Sequence, residues 1–250
     1  NQGRDNAASV ALMDVIKCAK ADMAIFFNAT SGSFFVGESG TELSFRLIRT
    51  ALMGSAPGGS VIGSSIEHPA SRSAALHWAE VAGKPYIDVP HDNATGQVTA
   101  ELYAKHMTPD VRVATILHTS PVTGIANDVM AISAAIRAVA PDAFIFVDGI
   151  QHACHGRVDI TGYDIDGYVV SPYKMFSRHG YGMAWVSDRL SAVAHNALDG
   201  APAGAWELGT RDTGAYATMS DVVAYFDWLG GQVSDETDPR ARIEAAGAAI

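Results

Sequence analysis

Two apolar segments of the sequence end abruptly in residues that can do chemistry. Residues 144–152 read FIFVDGIQH, so Asp148 follows four apolar side chains. Residues 166–174 read DGYVVSPYK, so Ser171 and Lys174 follow a second apolar run. Short apolar runs between helical segments are typical of buried parallel strands. Because ligands of open α/β sheets bind beyond the carboxyl ends of the strands, we expect an acid and a lysine at one ligand-binding edge.

This pair of residue types is the one that pyridoxal 5'-phosphate (PLP) requires of a protein, with lysine as a Schiff base and aspartate on the pyridinium nitrogen. A carboxylate at the end of a buried strand needs a partner, and a pyridinium N–H would supply one for Asp148. Partial desolvation behind YVVSPY would favour the neutral amine of Lys174. The alternatives are a helix cap or structural ion pair for Asp148 and a solvated surface position for Lys174.

Three further strand ends carry polar residues. The turn GESGTELSF at 37–45 could bind a phosphate through backbone N–H groups at a helix start, although a plain N-cap explains the same pattern. The segment SIEHPAS at 65–71 places His68 where it could stack on a planar cofactor or move protons, with a structural histidine as the alternative. The turn HTSPVTG at 118–124 offers hydroxyls, among them that of Ser120. Each signal is weak alone, but their order behind successive apolar runs indicates one ligand site.

Composition narrows the class of protein. The chain has 250 residues, of which 48 % are apolar and 18 % charged, and this suits a domain with one large core. The net charge of −10 and the lack of a basic stripe argue against a nucleic-acid partner. No apolar window approaches the roughly 18 residues of a membrane span, and no signal peptide opens the sequence. The two cysteines make no disulfide framework, so we expect a cytoplasmic protein.

A metal site is the weaker interpretation of one motif. His152, Cys154 and His155 lie close together in sequence. Their spacing fits no common zinc pattern, and no second ligand pair lies nearby. We therefore predict no metal.

Alternating strand and helix patterns predict an α/β three-layer sandwich with a mostly parallel, roughly seven-stranded sheet. We expect residues 1–232 to form the large domain and 233–250 to begin a linker or small C-terminal domain, with 231–239 the most linker-like stretch. Helical patterns reach both ends, so we expect a fragment of a longer protein. The predicted strands are 33–37, 60–64, 85–88, 112–117, 144–147, 167–170 and 182–186. The predicted helices are 41–53, 70–82, 98–106, 127–139 and 215–229, besides a helical pattern over 7–25 and the last ten residues.

Taken together, these motifs resemble the class V aminotransferase group of fold-type I PLP-dependent enzymes, which includes cysteine desulfurases, kynureninase and isopenicillin-N epimerase-like proteins. The resemblance covers most of the chain, and VDG-x-Q, S-x-x-K and GT in this order are specific. The matching segments are SGTE (39–42), EHPAS (67–71), HTSPVTG (118–124), VDGIQHACHGRVDI (147–160), SPYK (171–174) and ELGTRD (207–212).

The resemblance implies a role for each residue around the cofactor ring. Lys174 would form the internal aldimine and then move the substrate α-proton. Asp148 would pair with the pyridinium nitrogen. Gln151 would hydrogen-bond the phenolic oxygen, and His68 would stack on the ring face and belong with the catalytic residues.

The resemblance also implies how the cofactor phosphate is held. The backbone and hydroxyls around Gly40 and Thr41 would bind it, with Ser171 assisting. Thr210 resembles the residue that reaches the phosphate of the neighbouring subunit, which implies a homodimer with shared active sites. We expect the loop that carries Thr210, 207–212, to be exposed.

Two positions depart from the family pattern, and the arginine for the substrate carboxylate must also be assigned. Relatives often carry Asn where Pro121 stands, so Ser120 or Thr119 would have to replace that contact. Relatives with S-G-H-K place a phosphate-binding histidine where Tyr173 stands, and a tyrosine hydroxyl would have to serve instead. The arginine that binds the substrate carboxylate usually lies in the small C-terminal domain, so Arg211 is a candidate substitute.

The sequence thus predicts a PLP-dependent enzyme of the transaminase, lyase or epimerase type, acting on an amino acid or amine through Lys174. Transamination, racemisation, β-elimination and retro-aldol cleavage are all accessible to such a site. A cysteine desulfurase is disfavoured, because its persulfide cysteine lies well downstream of the lysine and no cysteine follows Cys154. The alternative is a catalytically silent homologue that serves as a binding or scaffold subunit.

Overall fold

A computed structural model describes residues 5–250. Strands and helices alternate along most of this range, as the sequence predicts. The strands are β1 Ser33–Gly37, β2 Ser60–Ser64, β3 Tyr86–Val89, β4 Val111–Leu117, β5 Phe144–Asp148, β6 Gly167–Val170 and β7 Gly182–Val186. The helices are α1 Ala7–Phe26, α2 Gly40–Gly54, α3 Pro69–Val81, α4 Ala100–His106, α5 Val129–Val139, α6 Asp188–Ser191, α7 Thr213–Val233 and α8 Pro239–Ala249. Two 3-10 turns occupy Ile160–Gly162 and Pro172–Met175.

The strands form one sheet in the order β1-β7-β6-β5-β4-β2-β3. The pairs β2–β3, β2–β4, β4–β5 and β5–β6 are parallel, and β7 runs antiparallel to both β1 and β6. The predicted mostly parallel, seven-stranded α/β sandwich is confirmed. The carboxyl ends of β2, β4, β5 and β6 therefore meet at one edge of the sheet.

Two apolar layers cover the faces of the sheet. One combines Ile62 and Ile145 with residues of α1, α4, α5 and α7, and the other combines Val61 and Phe146 with residues of α2 and α3. Alternate strand residues point to opposite faces, so Asp148 continues the face of Phe146 toward α2 and α3. Burying each large apolar side chain contributes about 1.5–3 kcal/mol, which holds the strand ends in fixed positions.

The linker prediction for 231–239 is wrong at both ends, because α7 continues to Val233 and α8 begins at Pro239. Gly230 allows close helix packing in this region and does not interrupt α7. A Cβ on Gly230 would lie 2.0 Å from the Arg242 carbonyl oxygen in α8, so the two helices can approach closely only at glycine. The domain division at 232 falls within the last turn of α7 and stays a prediction.

Helices at both ends of the described range follow the helical sequence patterns. Asn6 caps α1 by accepting a hydrogen bond from the Ser9 N–H, and Asp238 caps α8 by accepting one from the Ala241 N–H. Such caps each contribute about 1 kcal/mol. Within residues 5–250, no helix is long and apolar enough to span a lipid bilayer.

Candidate active site

The candidate site lies where β4, β5 and β6 end. Leu117 of β4 pairs with Asp148 of β5, and Asp148 pairs with Val169 of β6. The chain then turns sharply after each strand, which places Gln151 after β5 and Lys174 after β6. The edge that the sequence predicts as a ligand site therefore carries the predicted acid and lysine on neighbouring strands.

Asp148 is buried, with 6 % of its surface exposed. Its Oδ2 accepts a hydrogen bond of 2.5 Å from the Ser71 hydroxyl on α3, and its Oδ1 accepts one of 3.1 Å from the Ile150 N–H. A buried carboxylate must be satisfied by donors, and these two contacts hold the group in one orientation at the end of β5.

Lys174 lies in the 3-10 turn Pro172–Met175, directly after β6. Its Nζ is half-buried and donates a hydrogen bond of 3.1 Å to Gln151 Oε1. The turn begins at Ser171 and ends at Phe176, whose φ of 65° is the left-handed conformation that non-glycine residues seldom adopt. The lysine amine and the glutamine amide that the sequence assigns to one ligand are thus in direct contact.

The start of α2 lies against the turn that carries Lys174. A Cβ on Gly40 would lie 2.6 Å from Ser171 Oγ and 2.7 Å from Ile150 Cδ1, so only glycine fits there. Ser39 caps the helix by accepting a hydrogen bond of 3.0 Å from the Glu42 N–H. Thr41 is exposed at the first turn. The helix N-terminus, with its unpaired N–H groups and positive dipole end, therefore adjoins Ser171 as a phosphate site requires.

His68 and Ser120 both make local hydrogen bonds. His68 caps α3, since its Nδ1 accepts a hydrogen bond of 3.1 Å from the Ala70 N–H. The buried Ser120 hydroxyl accepts bonds of 3.3 Å from the N–H groups of Val122 and Thr123. Each bond fixes a side chain at the end of a strand, so the structural roles that the sequence left open for these residues are present.

Thr210 and Arg211 lie apart from the lysine, in a cavity of about 300 Å³ that Gly37 and Glu38 also line. The loop 207–212 contains no helix or strand, and Thr210 is exposed, as predicted. The Arg211 guanidinium lies 2.7 Å from Met13 Sδ on α1. The cavity adjoins the loop that leads into α2, and Lys174 is not among the residues that line it.

Tyr173 lies beside the lysine amine, with Lys174 Nζ 6.0 Å from the centroid of its ring. It is 41 % exposed, and its ring stacks on His179 with 4.5 Å between the ring centroids. Pro121, the second departure from the family pattern, is also exposed. Thr119, which the sequence offers as a replacement, instead lies 2.8 Å from His152 Nδ1 through its hydroxyl. Of the two departures, Tyr173 therefore places its ring near the lysine amine, whereas the Thr119 hydroxyl is engaged with His152.

Sequence reasoning missed two residues in the segment EHPAS. Ser71 donates to Asp148, and Glu67 is buried beside it with 6 % of its surface exposed. Burial, and next the negative charge of Asp148, raise the pKa of Glu67 to about 8. An acid directly behind the fully buried strand β2 was the available signal for Glu67, because charged residues are rarely buried without a function or a partner.

Two stacked histidines lie in the segments that follow β4 and β5. The rings of His118 and His152 lie 3.4 Å apart, and His118 Nδ1 is 2.9 Å from the Tyr168 hydroxyl. Burial lowers the pKa of both histidines, so both are neutral at physiological pH. Within residues 5–250, no group of three or more His, Cys, Asp or Glu residues could hold a metal ion.

The motifs and their geometry match a known family. The family model for class-V aminotransferases matches residues 4–203. The chain belongs to the aminotransferase class-V family. The match covers more than half of the chain and includes every candidate site residue except Thr210 and Arg211.

Individual proteins and a solved structure are also similar to this chain. A nonribosomal peptide synthetase-like enzyme of Aspergillus fumigatus is 28 % identical over 82 % of this chain but only 14 % of its own length. A cysteine desulfurase of an Enterobacter species is 26 % identical over 84 % of this chain and 56 % of its own length. The fold resembles that of the Escherichia coli cysteine desulfurase CsdA, with a TM-score of 0.76 and 23 % identity over 96 % of this chain and 62 % of the other. The chain therefore spans less than two thirds of each of these proteins.

Proposed function

We propose that this chain forms the cofactor-binding part of a PLP-dependent enzyme that acts on an amino acid or amine, with Lys174 as the Schiff-base lysine. The observation that carries the proposal is the contact of 3.1 Å between Lys174 Nζ and Gln151 Oε1, beside Asp148 on the neighbouring strand. Membership of the class-V aminotransferase family supports the same cofactor.

The residues present fit the cofactor. Asp148 is a buried acid with donors on both oxygens, which is the anionic partner that a pyridinium N–H requires. The Gly40 position lies against Ser171, where an added Cβ would collide. The adjoining N-terminus of α2 provides N–H groups for an anion.

Bound PLP supplies an electron sink for a carbanion at the substrate Cα. The chain's own residues bind and move protons around that centre. Lys174, held by Gln151, would take the α-proton on its Nζ and return it. Asp148 would pair with the ring nitrogen, with its carboxylate oriented by the Ser71 hydroxyl and the Ile150 N–H. His68 would stack on the ring face.

Cleavage of a carbon–sulfur bond is the first reaction to test, because several relatives are named cysteine desulfurases. Transaminase and epimerase activity on other amino acids is the competing expectation. We further propose a cytoplasmic homodimer in which Thr210 reaches the partner's phosphate site and Arg211 binds the substrate carboxylate.

Absorbance spectroscopy tests the proposal. The chain saturated with PLP should absorb near the visible range as a protonated aldimine and lose this band on borohydride reduction. Lys174→Ala should lack the band, whereas Lys105→Ala, which changes an exposed lysine, should keep it. When amino acids are added one at a time, cysteine among them, the absorbance band should shift only with those that belong to the substrate class. A native chain that binds no PLP would contradict the proposal.

A further inference from the structure

Glu67 and Asp148 are two buried carboxyl groups at the edge of the sheet that carries the candidate active site. Glu67 follows β2, Asp148 ends β5, and β4 lies between these strands. Each residue is 6 % exposed. They are near enough that the Asp148 charge is, after burial, the next cause of the raised pKa of Glu67. Each ionised carboxyl group disfavours ionisation of the other, so two interacting buried carboxyl groups favour a single negative charge.

The hydrogen bonds decide which residue carries that charge. Asp148 has a donor on each oxygen, the Ser71 hydroxyl at 2.5 Å and the Ile150 N–H at 3.1 Å. Glu67 Oε1 accepts one bond of 3.1 Å from the Ser64 hydroxyl, and its buried Oε2 makes no hydrogen bond within residues 5–250. Donors stabilise the charged form, so the charge belongs on Asp148 and the proton on Glu67.

The other ionisable groups around Glu67 do not neutralise it. Tyr86 and Tyr103 face it, and burial, followed by the Glu67 charge, raises the pKa of both, so they stay neutral. Arg72 is a cation on this side, but its two Nη atoms donate to the carboxylate of Asp88 at 3.0 and 2.9 Å. Glu67 thus lies among neutral or already paired groups, where ionisation is unfavourable.

Resting on the proposed function, we propose that Glu67 is a positioning residue that holds one proton beside Asp148 and releases it to solvent when a protonated pyridine nitrogen pairs with Asp148. Before that pairing, the two carboxyl groups together carry one negative charge. Once the Asp148 charge is balanced, the repulsion that kept the proton on Glu67 weakens. The O–H bond of the Glu67 carboxyl breaks, its electrons stay on the oxygen, and the proton passes to water.

Proton counting during PLP binding tests the inference without measuring activity. Calorimetric titration of the PLP-free chain at pH 7, in two buffers with different ionisation enthalpies, gives the number of protons released. Glu67→Gln keeps the size and the Ser64 hydrogen bond but holds no releasable proton. The native chain should release up to one proton more than this variant, since all other ionisations are common to both. Equal proton counts with normal PLP binding would overturn the inference and leave the proposed function intact.

Two further variants keep the test decisive. Glu80→Gln changes an exposed acid on α3 and should release as many protons as the native chain. Ser64→Ala removes the hydroxyl that donates to Glu67 Oε1, so Glu67 should keep its proton up to a higher pH. The extra proton release on PLP binding should therefore persist to a higher pH in this variant than in the native chain. If Glu67→Gln fails to fold, an unchanged pH dependence in Ser64→Ala overturns the inference. Failure of the native chain to bind PLP at all would instead overturn the proposed function with it.

Discussion

Buried acids lie at both ends of the parallel strands, and their surroundings differ. Asp166 precedes β6 at the amino end and is 1 % exposed. Its carboxylate accepts hydrogen bonds from Arg137, Arg189, Ser187 and the Ile145 N–H. Burial alone would raise the pKa of Asp166, but Arg189 and Arg137 bring it below its usual value.

The carboxyl end holds two buried acids, and neither pairs with a cation among residues 5–250. Asp148 has only uncharged donors, and Glu67 keeps its proton because burial and the Asp148 charge raise its pKa to about 8. Asp166 is paired with two arginines. Asp148 has no cationic partner in the described part of the chain, and a pyridinium nitrogen would supply one.

The largest expected effect is on stability, at Asp166. Asp166→Asn should lower the free energy of unfolding by about 3–5 kcal/mol, because it removes the buried carboxylate charge that pairs with both Arg137 and Arg189. Asp164→Asn is the matched control, since that exposed acid also pairs with Arg137 and should change stability by less than about 1 kcal/mol. Urea unfolding measures the stability of both variants, and equal losses would contradict the structural role assigned to Asp166.

The next effect is on catalysis, at Asp148. Asp148→Asn should leave the fold and some PLP binding, but turnover should fall by about 100-fold or more, the usual loss when a preorganised electrostatic partner is removed. The physical reason is that a neutral amide no longer holds the ring nitrogen protonated. Steady-state kinetics and urea unfolding on the same sample separate the two outcomes. Unchanged turnover would exclude the pyridinium role.

A smaller effect concerns the pH dependence of stability. The pKa of Glu67 is about 8 in the folded chain against 4.5 unfolded, so the folded state binds the extra proton between these values. Its contribution is fully present below about pH 4.5 and is lost as pH rises through about 8. PLP-free Glu67→Gln should therefore lose less stability than the native chain between pH 5 and 8.5. Denaturant unfolding at several pH values measures this, and identical slopes would contradict a neutral Glu67.

The smallest expected effect lies in the loop 207–212. Thr210→Ala should weaken PLP affinity by about 10-fold, the loss of roughly one charge-assisted hydrogen bond. Arg211→Ala should raise the KM for substrate more than the Kd for PLP. Fluorescence titration and steady-state kinetics of the dimeric holoprotein test both. A fully loaded monomer in sedimentation experiments would contradict the shared site.

The sequence predicts the fold well because its strands are short apolar runs. β1, β2, β6 and β7 have the predicted bounds, β4 and β5 differ by one residue at one end, and β3 is shifted by one residue at both ends. Helix ends are less well predicted, since α7 extends beyond its expected range at both ends. Its C-terminal extension depends on packing of Gly230 against α8, a contact that no local pattern encodes.

The candidate site is predicted in part. Asp148 and Lys174 are visible because each follows an apolar strand. Ser71 is not, since its bond to Asp148 joins residues 77 positions apart in sequence. The neutral state of Glu67 depends on burial and on a neighbour from another strand, so a sequence motif alone gives no sign of it. Long-range contacts, rather than residue types, account for what was missed.

Peptide mapping after borohydride reduction tests the central claim most directly. The chain saturated with PLP is reduced, digested and analysed by mass spectrometry. The account predicts one pyridoxyl-phosphate adduct, located on Lys174 and absent from Lys174→Ala. An adduct on another lysine at equal yield, or no adduct on a chain that has bound PLP, would contradict it.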